Sequence, residues 1–514
     1  MRKVWIYRLL AILLPFLLLA GIEGVLRIAN YGYDTHLFIT DPDNPNYLVM
    51  NRDISKKYFS LSQNATIGNQ DPFRKEKPSN TIRFFVLGAS SSLGFPYMHN
   101  GSFSRMLKYK LQFEYPQYRI ELINLSLTAI NSYTLYDFAK QVVDYEPDGI
   151  ILYAGHNEYY GALGAASSSR TGTHPQMTEW LINAKKLKIM QAVSSVSSSW
   201  EVRDSSLINP DRTLMERMAA HQMVPLHSEL YEQGIKQFDG NLKKILQLFQ
   251  KRQIPVFIGT LASNLKDQAP LEKENKTAGD IYKNAIQAYE QEDFEAALQG
   301  FKKAKETDGL RFRAPDAFNE LIRKYATTMD NVHLVDVSEK LSEHSPHQLI
   351  GKELLLEHVH PNLNGHHRIA EAYYEVLQKN FFQHKSKEGG CQIDLQEYPT
   401  TAFDTIYGDL VIRQLKQQWP FNEEAEPLYC DTSRFEFKIA LKFFYRKLNW
   451  GEAMQKLNNY YILQKDYASA LRIVEQMCLE LPYEKIFLKQ AGILNQRLQH
   501  KEKADYYLKQ LNYD

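Results

Sequence analysis

The chain has 514 residues, 44% of them apolar and 24% charged, which are values of folded globular proteins and not of disordered ones. That length predicts more than one domain, and a formal net charge of +1 argues against a nucleic-acid partner. The three cysteines, Cys391, Cys430 and Cys478, fit neither a zinc spacing nor a disulfide framework, although a Cys391–Cys430 bridge stays open in an oxidising compartment.

Arg2, Lys3 and Arg8 precede an unbroken apolar run from Leu9 to Ile22, which Glu23 ends. Counted outward past Arg8, which can snorkel, the span Val4 to Leu26 is long enough to cross a bilayer with some tilt. No small-x-small cleavage pattern and no lipobox cysteine follow it. Residues 1–27 therefore read as an uncleaved single-pass anchor ahead of the alternative, a cleaved signal. The basic residues put the N-terminus in the cytoplasm and the rest of the chain in the periplasm or outside the cell. Residues 28–80 carry turn pairs (Asp41-Pro42, Asn44-Pro45, Asp71-Pro72) and little periodicity, so they predict an irregular lead packed on the main domain.

Residues 81–385 alternate strand and helix patterns. Strands are expected at Phe84–Leu87, Arg119–Asn124, Gly149–Tyr153, Ile254–Ile258 and Val332–Val337, with helices at Ser102–Phe113 and Thr134–Tyr145. That alternation predicts a parallel sheet with helices on both faces. Gly88 ends the first strand, and Ser90 follows on a small-residue turn at the strand's carboxyl end, where open α/β sheets bind ligands. An ordinary Gly/Ser turn would read the same way.

Two later stretches add chemistry. Ala154-Gly-His-Asn-Glu158 follows the third strand, and its Asn157 can offer an amide to an oxyanion. Leu356-Glu-His-Val-His-Pro361 holds His360 in extended backbone before a proline. Glu357 lies three residues earlier, within reach of one ring nitrogen. It would fix the tautomer and leave the other nitrogen free to take a proton from Ser90. His358, His360, His366 and His367 also invite a metal reading; without Cys or clustered Asp ligands nearby, no metal is assigned. His366 and His367 read as a solvated or packing pair at a helix start.

The order Ser, Asn, His in these contexts resembles the SGNH/GDSL hydrolases. Gly88-Ala-Ser-Ser-Ser-Leu-Gly94 is similar to their first block, Gly155-His-Asn-Glu158 to their third and Glu357-His-Val-His-Pro361 to their last. The departures are Ala89 in place of the first block's Asp, Glu357 in place of Asp, and Ser126 in Asn124-Leu-Ser126 where a Gly N–H is usual. The resemblance implies a flavodoxin-like three-layer fold without a cofactor. It implies Ser90 as nucleophile, His360 as general base and Glu357 orienting it, with an oxyanion hole of Ser90 N–H, Ser126 N–H and Asn157. Gly155, Arg311 and Arg313 are weaker substrate-binding candidates; for the arginines a structural salt bridge is the competing reading.

Residues 271–308 read as a helical insertion, in which Ala297, Phe301 and Ala304 have the spacing of a tetratricopeptide repeat. One such unit must pack on the domain or on a partner. Residues 395–514 read as helical to the end. Ala470, Val474 and Met477 match a repeat's second helix, and Ala504, Leu508 and Leu511 return 34 residues later. An all-α tetratricopeptide-like domain follows, and with it a protein partner. The expected function is that of an extracytoplasmic serine esterase acting on an ester, such as an O-acyl group of an envelope carbohydrate. An O-acyltransferase of the same fold, and a scaffold that binds glycan or protein without turnover, remain open.

Overall fold

The computed structural model describes residues 2–97, 100–167, 175–201, 213–219, 222–424 and 431–511. Helix α1 (Arg2–Ile28) comes first. Its stretch Tyr7–Ile28, 22 residues at mean hydropathy 2.5, is long and apolar enough to cross a membrane, and its most apolar window has no buried residue.

The lead segment is more regular than predicted. Strands β1 (Phe38–Thr40), β2 (Tyr47–Met50) and β3 (Phe73–Arg74) form an antiparallel sheet in that order. Phe73 explains its position. The ring is fully buried, edge-on to Phe38 at 4.9 Å and to Phe85 of the main domain at 5.5 Å. Strands of two to four residues are too short for alternation to show in the sequence.

The main sheet is parallel. Its strands are β4 (Thr81–Gly88), β5 (Arg119–Asn124), β6 (Gly149–Tyr153), β7 (Val256–Gly259) and β8 (Val332–Val335), in the order β5-β4-β6-β7-β8. This is the doubly wound order with its switch point at β4, where a crevice opens beyond the carboxyl ends. Phe84, Phe85, Val86 and Leu87 are all 0% exposed, as a central strand covered on both faces must be.

Helices α2 (Ser90–Leu93), α3 (Phe103–Glu114), α4 (Ser132–Val142), α5 (Pro175–Ala184), α6 (Lys188–Glu201), α7 (Leu214–Ala219) and α8 (Glu229–Lys251) follow. After them come α9 (Lys276–Glu290), α10 (Phe294–Thr307), α11 (Asp316–Thr328), α12 (Val337–Glu343) and α13 (Leu363–Leu377). Ser102, Asn131, Ser228 and Asn362 each cap a helix by accepting a backbone N–H near its start, which fixes where α3, α4, α8 and α13 begin. Helices α3 and α13 pack on each other, and α8 packs on both α4 and α11, giving the helical cover that the sheet needs. The α9–α10 hairpin packs on the domain itself: Ala285, Ala297 and Phe301 share a small core with Leu265 and Leu349.

Beyond residue 395 come α14 (Ala402–Lys416), α15 (Phe435–Phe444), α16 (Trp450–Leu463), α17 (Tyr467–Glu480), α18 (Lys485–Arg497) and α19 (Lys501–Gln510), each packed on the next. Every residue of α3 is buried, because residues of α17 seal the side that the sheet leaves open. The seam is polar. The Tyr109 hydroxyl donates to Glu475 at 2.9 Å, and Asn100 Nδ2 donates to Asp404 at 3.0 Å and Gln476 at 2.9 Å. Buried Arg105 joins Asp71 at 2.8 Å to Glu480 of α17. Arg105→Met leaves two buried carboxylates without their cation, so it should cost about 3–5 kcal/mol, read as a lower midpoint in guanidinium unfolding. Cys391 and Cys478 are free thiols; Cys430, and with it the bridge considered above, lies outside the described residues.

Candidate active site

The site begins where β4 ends. A Cβ on Gly88 would fall 2.3 Å from Ser92 Oγ and 2.7 Å from the Tyr153 carbonyl, so only glycine lets α2 fold back so closely. Ser90 is the first residue of α2, and Gly94 closes the turn at φ +97°. Ser91 Oγ donates to the Val359 carbonyl at 3.1 Å, tying the turn to the loop that carries His360. Ser92 Oγ donates to the Tyr153 carbonyl at 3.1 Å, and Asn124 Nδ2 to the Ser92 carbonyl at 2.8 Å. These bonds hold the Ser90 side chain free of the turn's own scaffolding.

His360 Nε2 stands 2.8 Å from Ser90 Oγ. Its Nδ1 bonds Glu357 Oε1, which also accepts the His360 backbone N–H at 3.1 Å. The other oxygen of Glu357 accepts the His358 N–H at 2.7 Å and bonds His358 Nδ1. One buried carboxylate therefore orients two imidazoles and two backbone amides. The Phe95 ring covers His360 at 4.6 Å. Burial pushes the His360 imidazole down from 6.5 to about 3, so Nε2 is unprotonated and able to accept at neutral pH. The Glu357 charge on Nδ1 favours the imidazolium once a proton arrives. Burial also lowers His156 to about 3.

Asn157 follows β6 on a turn held from behind. The Glu158 carboxylate accepts Ser132 Oγ at 2.6 Å, the Ser132 N–H at 3.1 Å and Gln237 Nε2 at 2.5 Å, and burial pushes it up to about 7. Gly155 leaves room for Leu261, whose Cδ1 would lie 2.3 Å from an added Cβ. Its part is close packing behind the turn.

Ser90, Asn157, His358 and His360 line one cavity of about 210 Å³. Its other walls are mostly apolar, among them Phe95, Leu214, Met218 and Phe312.

Ser126, expected in the oxyanion hole, and the weaker candidates Arg311 and Arg313 do not line this cavity. The Ser126 N–H donates to Asn124 Oδ1 at 3.0 Å, and Ser126 does not line the cavity. Thr128 and Ala129 line it instead, and Ala129 holds φ +58°, a conformation that side chains other than glycine seldom adopt. Among the described residues the Ala129 N–H meets no acceptor. A non-glycine residue forced into that region beside a pocket was the feature to look for, but φ cannot be read from a sequence. Arg311 is spent on the carbonyls of Val224 (3.0 Å) and Glu306 (2.6 Å). Arg313 bonds the carbonyls of Asn264 (3.1 Å) and Gln268 (3.0 Å) and pairs with Asp308 at 3.2 Å. Both arginines are buried; among the described residues Arg313 makes the salt bridge of the competing reading and Arg311 does not. His366 and His367 are buried packing residues on α13.

Glu357, His358 and His360 hold donor atoms within 4.8 Å of one another, a metal-like cluster by distance. Both Glu357 oxygens already accept ring and backbone nitrogens, and His360 Nε2 faces Ser90, so the group is explained as a hydrogen-bonded relay.

No protein-family model and no curated protein matches the chain. Solved structures do. A member of the lipolytic protein G-D-S-L family from Veillonella parvula DSM 2008 is 12% identical over 58% of this chain and 99% of its own, with a TM-score of 0.31. A GDSL-like lipase from Bacteroides thetaiotaomicron VPI-5482 is 11% identical over 58% and 88%, with a TM-score of 0.30. A catalytic mutant of an acetylxylan esterase from Geobacillus stearothermophilus is 11% identical over 59% and 96%, with a TM-score of 0.31.

Proposed function

We propose that this chain is a membrane-anchored serine hydrolase acting on acyl esters outside the cytoplasm. The observation that carries the reading is the unbroken contact from Ser90 Oγ through His360 to Glu357, opening on an apolar cavity. Ser90 Oγ attacks the ester carbonyl and passes its proton to His360 Nε2. The Glu357 carboxylate faces the imidazolium that forms. The tetrahedral oxyanion is met by the Ser90 N–H, the Ala129 N–H and the Asn157 amide. Collapse expels the alcohol, which takes the proton from Nε2. Water then enters with His360 as base again, releasing the acid and restoring Ser90. The apolar walls receive the acyl group, and the alcohol lies toward the mouth, where an envelope carbohydrate carrying O-acyl groups would fit.

Hydrolysis of p-nitrophenyl acetate and butyrate by the full chain tests this reading; no turnover of either ester would reject it. Asn157→Ala should lower kcat about 10²–10³-fold with KM little changed, since the amide acts on charge that exists only in the transition state. Steady-state kinetics on the same esters separates the two constants.

The division into an anchor (1–27), a hydrolase domain (81–385) and a tetratricopeptide-like unit (395–514) belongs to the same proposal. Supporting it, the hairpins that begin at Trp450 and Lys485 start 35 residues apart, and their second helices, at Tyr467 and Lys501, start 34 apart. A protein partner on that unit completes the reading.

A further inference from the structure

Helix α6 begins where α1 ends. The Glu23 carboxylate, one turn before the end of α1, accepts the N–H groups of Lys188 (3.0 Å) and Ile189 (2.9 Å). Arg27 pairs with Glu23 at 2.7 Å and donates to the Lys186 carbonyl at 3.4 Å. Gln191 exchanges two bonds with the Tyr33 backbone, accepting at 3.0 Å and donating at 3.2 Å, and Lys188 Nζ donates to the Tyr33 carbonyl at 2.7 Å. The start of α6 is thus fixed to the exit of α1 from three directions.

Helices α5 and α6 each bury one side, through Thr178, Ile182 and Gln191. On these helices and the turn that joins them, large apolar side chains are exposed beside the polar Gln176, Asn183 and Ser195: Met177 is 51% exposed, Trp180 61%, Leu187 44%, Val193 56% and Val196 58%. Lys186 sits exposed beside Leu187, next to Arg27. The 22-residue span Tyr7–Ile28 of α1 rises about 33 Å, close to the roughly 30 Å of a bilayer's hydrocarbon core. With α1 inserted, its last turn and the α5–α6 turn therefore lie at headgroup level. A Trp, aliphatic side chains and basic residues at that depth are what an interfacial helix presents.

We propose that α5 and α6 form an interfacial hairpin that lies on the same bilayer α1 spans, with Met177, Trp180, Leu187, Val193 and Val196 among the lipids and Lys186 and Arg27 at anionic headgroups. The hairpin converts a flexible tether into a fixed seat for the domain. This rests on the anchor reading of α1.

Two native tryptophans test the parts separately. Trp5 lies on α1 and is 72% exposed; Trp180 lies on α5. The full chain, Trp5→Phe and Trp180→Phe are reconstituted in phosphatidylcholine/phosphatidylglycerol vesicles, with acyl chains plain or brominated near the headgroup. The emission lost in each variant isolates one residue, and both isolated signals should fall about twofold or more in brominated lipid. A quenched Trp5 with an unquenched Trp180 overturns the hairpin and leaves the anchor standing, its apolar side then facing water or a protein. An unquenched Trp5 overturns both.

Discussion

Ser90→Ala should lower ester turnover about 10⁵–10⁶-fold while the protein stays folded. The Oγ atom is the only part of the side chain that the substitution removes, and its partner at 2.8 Å is His360 Nε2. No scaffold bond is lost, because Ser91 and Ser92 carry the ties to the Val359 and Tyr153 carbonyls. The residual rate would come from the oxyanion donors and from substrate positioning. Initial-rate assays, with circular dichroism of the same samples, distinguish a dead site from an unfolded one. A fall of less than about tenfold would point to another nucleophile.

Glu357→Gln is the second large effect, with kcat expected to fall about 10³–10⁴-fold. The amide oxygen can still accept from His360 Nδ1, but the charge that balances the imidazolium is gone. It also has one oxygen where the carboxylate uses two. His358 Nδ1 and the His358 N–H then face an NH₂ group, and two donors meet. Glu357→Asp should fall between wild type and Glu357→Gln. It keeps the charge but is one methylene too short to serve both rings. Presteady-state assays would place the loss in the acylation step. This two-sided role gives a physical reason for the longer acid at 357.

Much of the sheet was legible in the sequence. Strands β5 and β6 have the predicted ends, β6 as an unbroken apolar run and β5 with Ile120, Leu122 and Ile123 as its apolar positions. Strand β4 extends further than Phe84–Leu87, since Thr81, Ile82 and Arg83 also pair with β5. Arg83 hid that extension. Set before the apolar run Phe84–Leu87 it reads as lying outside the strand, yet here it is buried against Glu121 at 2.7 Å. Helices α5 to α8 were not foreseen.

At the site, Ser90, Glu357 and His360 converge as the Gly-turn and His-Pro contexts imply, because each lies within a few residues of a strand end or helix cap. Ser126 did not join them. Its pattern, two residues after Asn124, marks the side chain that consumes its N–H, and the chain runs three residues further before Ala129 turns into the cavity. The role of His358 was present as Glu-His-Val-His, but which oxygen serves which ring is a matter of three dimensions.

The most direct measurement is covalent labelling of the full chain by a fluorophosphonate, with the adduct located by mass spectrometry. One adduct is expected, on the peptide containing Ser90, and none in Ser90→Ala. Folded protein that takes no label at Ser90, or takes it on another residue with Ser90 unmodified, would contradict it.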